Sequence, residues 1–130
     1  MQKKILVIDD SPFFLKVLSD LLEEDFFVEK AASAEEAIAM LQASDSETPS
    51  RTLPFDLVIT DLNMPGLSGY DVSGFIKGQN RERKFTPVIM LTEMEITKEE
   101  ARKHGCAAYI SKKNLQKVLS IARILLQGSE

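Results

Sequence analysis

Several features are scarce in this chain of 130 residues, and each scarcity excludes a class of protein. A single cysteine, Cys106, excludes an internal disulfide. No apolar run approaches the ~18 residues of a membrane-spanning helix, and no signal-peptide pattern is present. Basic residues are outnumbered, 16 against 20 acidic ones, which gives a net charge of −4 and argues against nucleic-acid binding. We therefore expect a cytoplasmic protein that contacts neither nucleic acid nor membrane and whose partners are proteins.

The apolar content and the length of the chain indicate a single hydrophobic core. With 44% apolar residues, positions 1–130 are expected to form a single domain that buries a proper core. Strand and helix patterns alternate five times, which predicts a three-layer α/β fold with a parallel sheet and right-handed crossovers. The predicted strands are 4–8, 26–31, 57–61, 87–92 and 106–111, and the predicted helices are 12–24, 34–42, 68–78, 97–104 and 114–127.

One segment, residues 43–54, lacks hydrophobic periodicity and contains two prolines. It is predicted to be an extended loop. A functionally neutral insertion is the simpler interpretation, and a specific contact is the alternative.

Acidic residues follow two of the predicted strands. Asp9 and Asp10 come directly after one apolar run, and Asp61 closes the run Leu57–Ile59 before a loop marked by Pro65 and Gly66. Open α/β sheets bind ligands beyond the carboxyl ends of their strands, so these carboxylates mark a candidate site. Two such charges ~4 Å apart repel by about 4 kcal/mol at an effective dielectric of ~20, and a divalent cation relieves this repulsion. The all-oxygen ligand set favours Mg²⁺ over Zn²⁺.

Four motifs in order carry a resemblance to a known family. They are Asp9-Asp10, Asp61-x-x-Met64-Pro65 with Gly69, Thr92 at the end of the fourth predicted strand, and Lys112 after the fifth. Over residues 3–127 the chain resembles the response-regulator receiver domain, the CheY-like domain of two-component signalling. The resemblance implies a doubly wound, flavodoxin-like sheet with strand order 2-1-3-4-5, which makes the first and third strands neighbours.

The resemblance also implies a chemistry for the acids. Asp61 is expected to act as a carboxylate nucleophile that takes a phosphoryl group from a histidine kinase or a phosphotransfer protein. Mg²⁺ is the expected cofactor, held by Asp9, Asp10, Asp61 and the backbone carbonyl of Asn63. The domain is then a signalling protein that catalyses its own phosphorylation and dephosphorylation.

Further residues of the resemblance stabilise and report the phosphoryl group. Lys112 is expected to pair with its oxygens, and the Thr92 hydroxyl to donate to another of them. Thr92 and Tyr109 would form the switch that carries the signal to an outer face of helix 4, strand 5 and helix 5, which is available for an output domain or a homodimer. On the last helix, Ile121 and Ile124 are expected to add an apolar patch to this face.

The first helix leaves one question open. Phe14 shares its apolar face with three leucines, and Phe13 is predicted to widen that face. The alternative is that Phe13, close to the acid pair, contacts a docking partner.

Two positions depart from the receiver pattern. Glu93 follows Thr92 where a small residue is usual, and it is expected either to stand over Asp61 or to point away along the next loop. Lys113 follows Lys112 where proline is common, and this departure is expected to alter how the last loop holds Lys112.

Two rival functions come from other classes. A phosphohydrolase that forms an aspartyl phosphate would be expected to carry a second acid two residues after the nucleophile, where this chain has Asn63. An unphosphorylated interaction scaffold is the other rival, and the presence of all the principal residues argues against it.

Overall fold

The computed structural model describes residues 2–47, 55–79, 86–94 and 96–127, and within them it forms a parallel sheet of five strands in the order β2-β1-β3-β4-β5. The predicted α/β class and strand order are confirmed. The strands are β1 Lys4–Ile8, β2 Phe27–Ala31, β3 Leu57–Asp61, β4 Val88–Thr92 and β5 Ala108–Ser111. The helices are α1 Pro12–Leu22, α2 Ala34–Glu47, α3 Gly69–Gln79, α4 Lys98–Lys103 and α5 Gln116–Gln127, with a 3₁₀ turn at Lys112–Asn114.

The sheet is covered on both faces, which explains why its central strands are apolar without alternation. Along β1, Ile5 and Val7 pack into a core with α1 and α5, whereas Leu6 and Ile8 pack into a second core with α2 and α3. Successive side chains of a strand point to opposite faces, so each face of the sheet has its own core. The carboxyl ends of β1 and β3 are adjacent, because Ile8 pairs with Thr60.

The last helix, α5, packs one face against the sheet and leaves Ile124 on the other. Its stripe of apolar residues packs into the first core, with Val118, Ala122 and Leu126 buried. Ile124 is 69% exposed, as predicted, and Ile121 is half-buried at the edge of the core.

The prediction that Phe13 widens the core face of α1 is wrong. Phe13 is 67% exposed, whereas Leu18 and Leu22 are fully buried. At about 100° per residue, a side chain five positions before Leu18 points about 140° away from it. The Phe13 side chain is therefore exposed at the surface near the start of α1.

The predicted loop at 43–54 also needs correction. Helix α2 continues to Glu47, so residues 43–47 are helical, and 48–54 lie outside the described residues. No proline or glycine occurs between Ala43 and Glu47, and polar residues extend a helix readily on its solvent side. Low hydrophobicity was the wrong criterion for ending this helix. The other boundaries agree with the predictions within two residues.

Across the described ranges, no helix combines the length and the apolar character needed to cross a membrane.

Candidate functional site

Three carboxylates meet at the carboxyl edge of the sheet. Asp9 and Asp10 follow β1, Asp61 is the last residue of β3, and each offers one oxygen within 4.8 Å of the others. Asp9 is fully buried and Asp61 is 4% exposed, while Asp10 lies at the surface. The structure thus brings together the three acids that the sequence placed at strand ends.

The two oxygens of Asp9 have different surroundings. Oδ1 accepts a hydrogen bond of 2.9 Å from the backbone N–H of Ser11. The side-chain oxygen of Ser11 in turn caps α1, because it accepts from the backbone N–H of Phe14. Oδ2 faces the ammonium of Lys112 at 2.9 Å as an ion pair, and within the described residues it accepts no hydrogen bond of regular geometry. Local capping therefore fixes the carboxylate and leaves one buried oxygen with unused hydrogen-bonding capacity.

Lys112 connects the acids across the sheet edge. Its Nζ lies 2.9 Å from Asp9 Oδ2 and 3.3 Å from Asp61 Oδ1, and only 6% of its side chain is exposed. The ammonium also lies 4.1 Å from the centre of the Phe14 ring. One buried cation thus faces two buried carboxylates and one aromatic face.

The charges shift the pKa of Asp61 strongly. Burial is the main cause and the negative charge of Asp9 the next, while Lys112 opposes them; the result is a pKa of about 6 instead of 3.8. Burial disfavours the charged form of Lys112, yet the two carboxylates outweigh this effect and raise the pKa of the lysine. At neutral pH the site therefore holds more negative charge than Lys112 can balance.

A divalent cation fits this surplus. The candidate ligands are all carboxylate oxygens, and the buried Oδ2 of Asp9 has an unfilled acceptor position. Hard cations such as Mg²⁺ prefer oxygen ligands of this kind. The residues present therefore suit Mg²⁺, which would be held by Asp9, Asp10 and Asp61.

Asn63 and Thr92 flank the acids. The exposed Asn63 donates a hydrogen bond from Nδ2 to the sulfur of Met94 at 3.6 Å, so the loops after β3 and β4 touch. Thr92 is 1% exposed, and its hydroxyl oxygen accepts from the Met94 N–H at 3.0 Å. The hydroxyl hydrogen is not used in that bond and is available to an acceptor in the site.

The loop between β3 and α3 is held by close contacts at two glycines. A side chain at Gly69 would have its Cβ about 2.5 Å from the backbone oxygen of Asp61. Gly66 has a φ of +82°, and the Glu35 carboxylate lies directly against it and accepts from the Leu67 N–H at 3.2 Å. The two glycines of the sequence motif therefore allow the chain to fold back tightly behind Asp61.

Tyr109 lies in β5 and lines two surface grooves. It is half-buried, pairs with Met90 in the sheet and packs against the cluster of Leu62, Met90 and Ile96. It lines a groove of about 690 Å³ that reaches Thr92, and another of about 390 Å³ that reaches Ile121.

The two departures from the receiver pattern have distinct outcomes. Glu93 is exposed and lines the larger groove, and the carboxylates that raise the pKa of Asp61 are those of Asp9 and Asp10. Lys113 lies in the 3₁₀ turn, where its N–H donates to the Ser111 hydroxyl at 3.1 Å. Glu93 is therefore exposed beside Thr92 and is not among the groups that shift the pKa of Asp61, and Ser111 caps the turn that carries Lys112.

Two contacts of the site were not predicted from the sequence. The helical pattern places Phe14 on the apolar face of α1, yet its ring faces Lys112, and no sequence motif includes Met94, which contacts both Asn63 and Thr92. The available signal for Phe14 was its place in the first turn of the helix that follows the acid pair.

Comparison with known proteins decides the family. The model of the response regulator receiver domain matches residues 5–123. The chain belongs to this family. Receiver relatives include the polar-differentiation response regulator DivK of Brucella ovis, 31% identical over 114 residues, which are 86% of this chain and 85% of DivK.

Solved receivers share the fold as well. The chemotaxis protein CheY4 of Vibrio cholerae superposes with a TM-score of 0.77 at 27% identity, covering 97% of this chain and 100% of that one. The response regulator TrrA of Thermotoga maritima, solved in complex with Mg²⁺ and a beryllium fluoride, gives 0.73 at 29% identity, covering 95% and 99%. The predicted resemblance to CheY-like receivers is confirmed.

Proposed function

We propose that this receiver takes a phosphoryl group onto Asp61 from a histidine kinase or a phosphotransfer protein, in a Mg²⁺-dependent reaction. The observation that carries the proposal is the buried carboxylate of Asp61, 3.3 Å from Lys112 and grouped with Asp9 and Asp10. Receiver membership supports it, and so does TrrA, a related receiver solved with Mg²⁺ and a beryllium fluoride.

The reaction requires one bond to form and one to break. A carboxylate oxygen of Asp61 forms a bond to phosphorus, while the bond from phosphorus to the donor's histidine nitrogen breaks and its electron pair stays on that nitrogen. With a small acyl phosphate, the leaving group is the carboxylate of the donor. No proton needs to leave Asp61, since it attacks in its charged form.

The residues around Asp61 would position the phosphoryl group and neutralise the negative charge on its oxygens. Asp9, Asp10, Asp61 and the Asn63 carbonyl would hold Mg²⁺, which when bound supplies positive charge to the phosphoryl oxygens. Lys112 is already within 3.3 Å of the acceptor carboxylate and would pair with a phosphoryl oxygen.

Thr92 and Tyr109 are proposed as the switch. The buried Thr92 hydroxyl can turn its hydrogen towards a phosphoryl oxygen, and Tyr109 lines both the groove beside Thr92 and the groove beside Ile121. Movement of Thr92 would therefore alter the packing of Tyr109 and reach the face of α4, β5 and α5. That face is proposed to meet an output domain or a second copy.

The rival functions are weaker. Asn63 offers an amide where the phosphohydrolase chemistry calls for an acid, and a pure scaffold has no need of a buried lysine between two buried carboxylates. The cytoplasmic location stays a prediction.

Phosphorylation is tested by incubating the protein with acetyl phosphate and Mg²⁺ and measuring its intact mass. We expect the gain of one phosphoryl group, none with EDTA and none in Asp61→Asn. Glu29→Gln, which alters a partly exposed carboxylate in the middle of the edge strand β2, serves as the matched control and should label normally. Equal labelling of Asp61→Asn and wild type would refute the assignment.

Switching is tested by NMR with beryllofluoride and Mg²⁺. We expect amide shifts to change at Tyr109 and at Ile121 and Ile124 on α5, whereas Phe27 at the opposite end of the sheet should stay still. Unchanged shifts at all three positions would disprove this route of signalling while leaving the phosphorylation proposal intact.

A further inference from the structure

Lys112 is a long side chain that must be held in one place. Its stem has four rotatable bonds, and its backbone lies in a short 3₁₀ turn whose start is capped by Ser111. The two carboxylates attract its ammonium from one side. Attraction by point charges leaves the direction of a flexible ammonium poorly defined, so a further contact is needed to fix it.

The ring of Phe14 supplies that contact. Its centre lies 4.1 Å from Lys112 Nζ, well inside the ~6 Å reach of a cation–π interaction, and the lysine side chain is 6% exposed. The ammonium is thus placed among Asp9, Asp61 and an aromatic face. A desolvated cation gains more from such a face than an exposed one does.

The position of the ring is itself tied to the acids. The backbone N–H of Phe14 donates to Ser11 Oγ, and the backbone N–H of Ser11 donates to Asp9 Oδ1 at 2.9 Å. Phe13 packs edge-on against the ring, with centroids 5.3 Å apart at 77°. One helix start therefore fixes both the carboxylate and the ring that meet at Lys112.

An ordinary core residue would be placed differently. Leu15 and Leu18 of the same helix pack into the core with α5. Phe14 is only half-buried and, in the part of the chain that the structure describes, it is not among the side chains of the core clusters. Its main distinguishing contact is the ammonium.

We propose that Phe14 is a positioning residue for Lys112, which it holds by a cation–π contact at the point where the phosphoryl oxygens arrive. The proposal rests on the proposed function for its effect on rate. Because the ammonium is fixed before the donor binds, the transfer does not have to order it. Removing the aromatic face while keeping an apolar side chain should slow phosphorylation without unfolding the protein.

The experiment compares Phe14→Leu, Phe14→Tyr and wild type. Acetyl phosphate labelling with Mg²⁺ is followed by intact mass, and thermal unfolding shows that each variant folds. We expect Phe14→Leu to be slower by about fivefold and Phe14→Tyr to return to within about twofold of wild type, since tyrosine keeps the aromatic face. Phe27→Leu, which removes another ring near a lysine at the far end of the sheet, should label at the wild-type rate.

A second readout reports the contact independently of phosphorylation. Protons above an aromatic ring resonate upfield, so the ε-methylene protons of Lys112 should be shifted in wild type and in Phe14→Tyr, and should return to ordinary values in Phe14→Leu. Unmoved Lys112 signals, or a wild-type labelling rate in Phe14→Leu, would overturn the proposal for Phe14. An unlabelled wild type would instead overturn the proposed function and the rate effect that rests on it.

Discussion

Two lysines at opposite ends of the sheet, Lys4 and Lys112, each contact a carboxylate and an aromatic ring. At the amino end of β1, Lys4 lies 2.9 Å from the Glu29 carboxylate and 5.4 Å from the centre of the Phe27 ring. The side chains of Lys4 and Glu29 are 38% and 36% exposed, so water screens the pair.

At the carboxyl end, Lys112 lies at the same 2.9 Å from Asp9, but the two side chains are 6% and 0% exposed. Exposed ion pairs contribute little to stability, whereas charges in a buried pair depend on each other because neither can be solvated. A second buried carboxylate, that of Asp61, further raises the electrostatic free-energy cost of burying charge at the carboxyl end. The two lysines make the same kinds of contact, with a carboxylate and an aromatic ring. The comparison shows that burial, and not the type of contact, distinguishes the candidate reactive site from an ordinary surface ion pair.

Removing each lysine gives the largest expected difference between the two ends. Lys112→Met leaves two buried carboxylates without their cation and should lower the free energy of unfolding by about 4 kcal/mol in EDTA. Lys4→Met should lower it by less than about 1 kcal/mol, because its partner remains solvated. Urea denaturation of both variants measures this, and equal losses would remove the distinction between the two pairs.

The pH dependence of stability sharpens the comparison. Asp61 has a pKa of about 6 in the folded protein and an ordinary value of 3.8. The folded state therefore binds more protons between these values, and the free energy of unfolding should fall as the pH rises from about 4 to about 6.

Asp61→Asn should remove this loss. We expect the variant to be more stable than wild type by about 3 kcal/mol above pH 7 without divalent cations, and equally stable below pH 4. Glu29→Gln is the control at the exposed end and should change stability by less than about 1 kcal/mol. Denaturation at a series of pH values decides; a less stable Asp61→Asn at neutral pH would contradict the electrostatic account.

Divalent cations should stabilise the protein by binding at the carboxyl end of the sheet and not at the amino end. Mg²⁺ at about ten times its dissociation constant should stabilise wild type by about 1.4 kcal/mol, as any ligand of the folded state does. Asp10→Ala should abolish this gain and Glu29→Ala should keep it. Thermal unfolding with and without Mg²⁺ provides the measurement, and a full gain in Asp10→Ala would exclude Asp10 as a ligand.

The smallest expected effect is that of Glu93. Its exposed carboxylate lines the groove beside Thr92 and is screened by solvent, so Glu93→Ala should change the rates of labelling and of phosphate loss by less than about twofold. A faster rate of both, by fivefold or more, would show that Glu93 reaches the acceptor.

Local features of the sequence predict most of the fold and the clustering of the three aspartates at one edge of the sheet. The apolar runs before Asp9 and Asp61 mark central strands, and parallel strands bring their carboxyl ends to one edge, so the meeting of these acids follows from pattern and topology. Ser11 and Thr97 are residue types typical of helix N-caps, and they cap α1 and α4 in the structure. The strand order itself came from the family resemblance.

Contacts between distant segments could not be predicted in this way. Phe14 meets Lys112 only because α1 and α5, which follows the turn after β5, pack on the same face of the sheet, and Asn63 meets Met94 across two loops. A helical pattern identifies which residues share a face but not what lies opposite them. The extension of α2 to Glu47 was missed for another reason, because low hydrophobicity does not end a helix.

The measurement that tests the account most directly is chemical trapping of the phosphorylated residue. After reaction with acetyl phosphate and Mg²⁺, borohydride reduces an aspartyl phosphate to homoserine, and peptide mass spectrometry locates the change. The account predicts reduction at position 61 alone, with none when Mg²⁺ is removed by EDTA. Reduction at Asp9 or Asp10, or no reduction anywhere in a protein that binds Mg²⁺, would contradict it.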